Sequence, residues 1–131
     1  MFENEDQPSL TAIQWFNKGY DYDVKEDYDN AIFAYTKAIE LNPQDADAYT
    51  NRGVVYDTQG KYDLAIMDYT KAIELNPQDG DTYFNKAIAC ENAGKKTEAI
   101  EAYQLFIGCA EGNDPMIEEA KERIRELGGT I

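Results

Sequence analysis

The eleven residues YTKAIELNPQD occupy positions 35–45 and return, letter for letter, at 69–79. An exact return at that offset restricts the chain to architectures in which one supersecondary unit is repeated and each unit buries its apolar face against its neighbours. Carrying the same offset outward divides the chain into blocks at 12–45, 46–79 and 80–113. Trp15, Tyr49 and Tyr83 align at the fourth place of the blocks, and Tyr22, Tyr56 and Cys90 at the eleventh. Ala31, Ala65 and Ala99 share the twentieth place, and Tyr35, Tyr69 and Tyr103 the twenty-fourth. Apolar residues at three- and four-residue steps predict amphipathic helices, and the period-two alternation of strands is absent.

Two breaks punctuate each block. Gly60 and Gly94, near the fifteenth place, are suited to the left-handed conformation that ends a helix. Glu26 holds that place in the first block, so its turn is expected either to be strained or to differ locally. Asn42-Pro43 and Asn76-Pro77 mark the second break, because proline disfavours helix in the residue before it and cannot continue one. Each block therefore reads as a helical hairpin.

The residues at these places resemble the tetratricopeptide repeat pattern, W-x2-L-G-x2-Y followed by A-x3-F and P. The first block offers Trp15, Gly19, Tyr22, Ala31, Tyr35, Ala38 and Pro43, and the second Tyr49, Gly53, Tyr56, Ala65, Tyr69, Ala72 and Pro77. The third keeps Tyr83, Ala87, Ala99 and Tyr103 but has Phe106 in place of alanine and Glu111 in place of proline. The leucine of the pattern is Lys18, Arg52 and Lys86 here, whose aliphatic stems are expected to cover apolar surface. The resemblance implies an all-α, right-handed superhelical solenoid of antiparallel hairpins, with the first helix of each block lining a concave face that holds a protein segment.

Beyond the blocks, Asp114-Pro115 reads as the N-cap and first position of a helix over MIEEAKERIREL, with glutamates early and Arg123 and Arg125 late, as the helix dipole favours. Gly128-Gly129 ends it. Its apolar face, Met116, Ile117, Ala120, Ile124 and Leu127, suits a cap over the last core surface of an array. The expected organisation is a polar tail (1–11), three repeats, a capping helix (114–128) and a short tail (129–131), seven helices in all. Thr11 and Gln14 are spaced as a capping box for the first helix.

Charge narrows the partners. Twenty-six acidic against twelve basic residues give a net charge of -14, which repels nucleic acid and anionic lipid and favours cationic partners. No apolar run approaches the roughly 20 residues of a membrane span, and the opening MFENEDQPSL lacks the basic and apolar regions of a secretion signal. Cys90 and Cys109 have no CxxC spacing and the chain has no histidine, so buried structural thiols in a reducing cytoplasm fit best. Without histidine the usual general base is missing, and no nucleophile, base and orienting group can be grouped by spacing; the expectation is a protein that is not an enzyme and uses no cofactor. Asp21, Asp23, Glu26, Asp27 and Asp29 lack the glycine-centred loop and closing glutamate of a calcium site, so no metal site is expected.

On the family's frame the groove residues are Ile13, Phe16, Asn17, Tyr20 and Asp23; Asp47, Thr50, Asn51, Val54 and Asp57; and Asp81, Phe84, Asn85, Ile88 and Glu91. Asparagine recurs at the sixth place (Asn17, Asn51, Asn85) and an acid at the twelfth (Asp23, Asp57, Glu91). The amides either hold a peptide backbone or stabilise repeat packing. The acids, joined by Asp47 and Asp81, form either a solvated face or a negative groove that steers basic segments. Phe16, Tyr20, Val54, Phe84 and Ile88 are the candidate apolar anchors, with Tyr20 and Ile88 equally readable as inter-helix core.

One subclass of the family grips the acidic C-terminus of chaperones with a two-carboxylate clamp of lysines, asparagines and an arginine. Its five places fall on Phe16, Tyr20, Asn51, Asp81 and Asn85, where only Asn51 matches. The expected partner is a basic, extended or helical protein segment rather than a chaperone tail, and the alternative is self-assembly through solenoid ends or grooves.

Overall fold

The computed structural model describes residues 9–110 and 112–130. The expected N-terminal tail lies, through residue 8, outside them, as do Glu111 and Ile131. Seven helices follow one another: α1 (Ala12–Val24), α2 (Tyr28–Leu41), α3 (Ala46–Thr58), α4 (Tyr62–Leu75), α5 (Gly80–Asn92), α6 (Lys96–Cys109) and α7 (Met116–Glu126). Each helix packs on its sequence neighbour, and the first helices also touch one another, α1 with α3 and α3 with α5. The row of first helices is therefore the inner, concave side of an all-α solenoid.

Glu26, Gly60, Gly94 and Gly128 have φ of 61°, 77°, 77° and 89°, and each stands one block length after the last. After each, a backbone N–H turns back to the helix: Asp27 to Tyr22, Lys61 to Tyr56, Lys95 to Cys90 and Gly129 to Ile124, all at 2.8–2.9 Å. This is the Schellman closure of a helix end. Its fourth appearance shows that α7 continues the repeat frame as the first helix of a further unit. Glu26 keeps the left-handed geometry rather than remodelling the turn. Since a side chain there costs about 1 kcal/mol, Glu26→Gly is expected to stabilise the protein by roughly 0.5–1 kcal/mol, measured by urea unfolding.

The N-termini follow the sequence closely. Thr11 and Gln14 form the capping box. Asp45 Oδ1 accepts the Asp47 and Ala48 N–H groups at 3.0 and 3.3 Å. Asp79 instead accepts the Thr82 hydroxyl at 2.9 Å. Helix α7 is assigned from Met116, one residue later than the sequence predicts, although Pro115 already has helical φ and ψ of -62° and -21°; Asp114 Oδ1 accepts the Met116 N–H at 2.9 Å.

Packing explains the glycine at the eighth place of the first two blocks. A Cβ on Gly19 would lie 2.6 Å from Cδ1 of Tyr35, and one on Gly53 2.8 Å from Cε1 of Tyr69. Only a bare backbone lets the buried tyrosine rings approach so closely. At the charged seventh place Arg52 does more than lay a stem over apolar surface. Arg52 donates through Nε and Nη2 to both oxygens of Asp68 at 2.8 and 2.7 Å and through Nη1 to Thr36 at 3.1 Å. Its guanidinium also lies 5.8 Å from the ring centres of Tyr49 and Tyr56. One side chain thus ties α2, α3 and α4 by a bidentate ion pair, the strong form of that interaction. Cys90 is buried as expected, whereas Cys109 is half-buried, its thiol 3.7 Å from the Pro77 carbonyl.

Candidate functional site

The concave row presents the fifteen groove residues in different surroundings. Asn17, Asp47 and Asp81 are exposed; Phe16, Thr50, Asn51, Asp57, Asn85, Ile88 and Glu91 are half-buried, as is Asp23. Tyr20 is 56% exposed and Val54 lies open beside it in the frame, so Tyr20 is surface rather than core. Ile88 packs against the large C-terminal core cluster. Thr50 is occupied by structure, its hydroxyl 3.5 Å from that of Thr82 on α5.

Phe84 requires a correction. Expected as a groove anchor, it is 6% exposed and belongs to the core. Phe106, standing where the repeat pattern has alanine, holds it there: the rings meet edge to face at 5.0 Å, and Phe84 meets Tyr103 in the same way at 5.4 Å. Among the described residues, hollows open on the groove. One, about 130 Å³, is lined by Ile13, Phe16, Asp45 and Asp47. Another, about 290 Å³, is lined by Asp81, Phe84, Asn85, Phe106 and Met116, so Phe84 supplies its floor. A hollow of about 270 Å³ at the turn from α3 to α4, around Lys61 and Tyr62, lies away from this face.

The acidic column is tied to the tyrosine column. Asp57 Oδ2 accepts the Tyr69 hydroxyl at 3.4 Å, and Glu91 Oε2 accepts that of Tyr103. Tyr35 is fully buried and its hydroxyl has no hydrogen-bond partner among the described residues, although the Asp23 carboxylate and the Asn51 amide face it. Burial, then the Asp23 charge, push the Tyr35 phenol up to about 12. Burial also raises Asp23 and Asp57 above the ordinary aspartate value of 3.8. A carboxyl whose pKa is raised by folding opposes folding when both states are ionised. That cost is full above the raised value and vanishes below 3.8. Asp57→Asn is therefore expected to raise the melting temperature at neutral pH and to leave it unchanged in acid, where the aspartate is protonated, as read by thermal unfolding at both pH values.

Glu91 differs from its two counterparts. Arg123 of α7 donates to both of its oxygens, Nη2 at 2.7 Å and Nε at 3.1 Å. This third acid is neutralised from within, a contact the repeat frame did not reveal because Arg123 lies beyond the last full block. Its signal was an arginine late on a helix following a column of acids.

Stacked hairpins of 13- and 14-residue helices, closed by a left-handed turn in every block, define a helical-repeat protein of the tetratricopeptide kind. Family patterns agree: one described as tetratricopeptide repeat matches residues 46–79, one described as TPR repeat matches 19–60, and a second tetratricopeptide repeat pattern matches 68–101. The chain belongs to the tetratricopeptide repeat family.

Solved structures resemble it over nearly its whole length. The first TPR domain of Spaghetti (RPAP3), bound to the HSP90 peptide SRMEEVD, is 28% identical, with 92% of this chain and 93% of that one covered at a TM-score of 0.80. The TPR2B domain of yeast Sti1, in a pHsp70 complex, is also 28% identical, with 92% and 98% covered at a TM-score of 0.81. The type III secretion translocator chaperone SycD of Yersinia enterocolitica shares the fold at 0.81 with 18% identity, covering 94% and 88%. No curated protein matches the sequence. Among the described residues no helix is long and apolar enough to cross a membrane.

Proposed function

We propose that the protein is a non-enzymatic interaction module whose concave face takes a basic protein segment. The single observation that carries this reading is the charge of the face. Asp23, Asp47, Asp57 and Asp81 line it, Glu91 being met by Arg123 of α7, and the fifteen groove residues of the three blocks include no lysine or arginine. Such a groove accelerates encounter with cationic segments, and Phe16, Tyr20 and Val54 supply apolar contact between the charges. Like the groove residues themselves, the division into three repeats and a capping helix is part of this proposal.

The two relatives at 28% identity hold chaperone peptides, one of them SRMEEVD. Their partner chemistry does not transfer. At the clamp places this chain has Phe16, Tyr20, Asn51, Asp81 and Asn85, and an exposed carboxylate at Asp81 repels an acidic tail. Binding of matched basic and acidic peptides at two salt concentrations tests the reading. The basic set is expected to bind, with affinity falling as salt rises; preference for the acidic set overturns it.

Self-assembly is favoured by a different observation. Helix α1 leaves Ile13 and Tyr20, on the groove side, and Val24, in its last turn, 74%, 56% and 66% exposed, an apolar surface that a second copy would cover. Light scattering across a concentration series separates the readings: a monomer at all concentrations removes self-assembly, and a stable dimer with the groove covered removes the open receptor.

A further inference from the structure

The contact between Arg123 and Glu91 has a counterpart position in each earlier unit. One block length before Arg123 stands Ala89, and as far again before that stands Val55. Both are fully buried, Ala89 against Tyr69 and Val55 against Tyr35. The same place on the next first helix therefore covers the same tyrosine in all three units. Only the last delivers a guanidinium to the acid beside it.

The two earlier acids are left without a cation. Among the described residues no lysine or arginine lies within ion-pair distance of Asp23 or Asp57. Beside Asp23 the fully buried Tyr35 hydroxyl has no hydrogen-bond partner, and the Asn51 amide faces it. Buried polar groups without partners are rare in folded proteins and call for an explanation. In the third unit the tyrosine hydroxyl donates to its acid and Arg123 donates to the same carboxylate; in the first unit neither contact is made among the described residues.

We propose that the Asp23–Tyr35 and Asp57–Tyr69 pairs are subsites for arginine side chains of a bound protein segment, each guanidinium taking the place that Arg123 takes at Glu91–Tyr103. The inference rests on the groove reading above and narrows its ligand from basic to arginine-bearing. Arginine fits for a geometric reason. Arg123 uses two nitrogens of its planar fork on the two oxygens of one carboxylate, an arrangement that an ammonium group cannot reproduce. At the first subsite the guanidinium has further N–H groups for the Tyr35 hydroxyl and the Asn51 carbonyl, so it would satisfy the orphaned phenol as well as the acid. Asn51 then acts at the junction of both columns.

The test uses the full chain and three fluorescent peptides of one Ala/Gln-rich sequence, carrying at two positions arginine, lysine or uncharged citrulline. Binding by anisotropy is paired with amide NMR mapping. The arginine peptide is expected to bind with shifts at residues around Asp23 and Asp57, the lysine peptide on the order of tenfold more weakly, and the citrulline peptide not at all. Asp23→Asn combined with Asp57→Asn is expected to lower arginine-peptide affinity on the order of tenfold or more and to erase the preference over lysine. Asp47→Asn combined with Asp81→Asn removes the same charge from exposed positions and is expected to weaken both cationic peptides alike, keeping the preference. Equal binding of arginine and lysine peptides, with both double variants weakened equally, overturns the subsites and leaves the groove reading standing. Absence of binding by either cationic peptide overturns the groove reading as well. Loss of fold is not an escape, since both aspartates are raised by burial and their amides are expected to keep or increase the melting temperature.

Discussion

Replacing Arg52 by alanine is expected to lower the unfolding free energy by about 3–5 kcal/mol, the range for removing one partner of a buried ion pair. The size comes from what remains. The Asp68 side chain is 7% exposed and loses both nitrogens that now satisfy it. Thr36 and the rings of Tyr49 and Tyr56 lose a shared neighbour at the same moment. Chemical denaturation of Arg52→Ala checks the loss, and the double variant Arg52→Met with Asp68→Leu checks its cause. Because a buried pair replaced by apolar groups of similar volume is often neutral, the double variant is expected to recover most of the stability. A double variant as unstable as the single one would show that packing around Arg52, rather than the stranded carboxylate, accounts for the loss.

The second large effect is expected at Phe106. Alanine at this place returns the residue of the repeat pattern, yet Phe106→Ala is expected to cost about 3–5 kcal/mol. The ring is almost wholly buried, and Phe84 leans on it edge to face. Removing it opens a void beneath the larger groove hollow, which Phe106 and Phe84 both line. Phe84→Ala added to Phe106→Ala is expected to cost less than the two separate losses together, since the residues share one contact. Unfolding curves for the two single variants and the pair decide the matter; an additive pair would mean that the rings do not support one another.

These two residues show where a repeated sequence informs and where it does not. The frame is legible because helix ends need special residues: glycine for φ above zero, proline after a helix, aspartate or threonine before one. Those recur from block to block, so Gly60 and Gly94 mark two turns in the bare sequence, and Glu26 follows the same conformation without being glycine. Contacts that differ between units are not legible from alignment. Arg52 could be read as a stem over apolar surface because only the fold brings Asp68 and Thr36 to its head. Phe84 could be read as a groove anchor because its place is concave in the other units; Phe16 meets Tyr35 as Phe84 meets Tyr103, and the added ring of Phe106 covers Phe84 further. The pairing of the acid and tyrosine columns was hidden for a related reason. Their residues sit on two different helices, whose mutual rotation no spacing rule supplies.

The unequal cores along the array have a further consequence. Among the described residues, the cluster around Tyr103, Phe106 and Ile124 joins α5, α6 and α7 and takes in side chains of α4, whereas the cluster around Ala31, Tyr35 and Val55 is much smaller. Units that contact only neighbours open independently when their interfaces are weak. Amides of α1 and α2 should therefore exchange with solvent through local openings that leave α5 to α7 closed. Asp23 and Tyr35 sit in that looser half. A segment lying across both halves would be held by the rigid end and would slow exchange at the looser one, so occupancy of the groove should be written in the protection of the first hairpin.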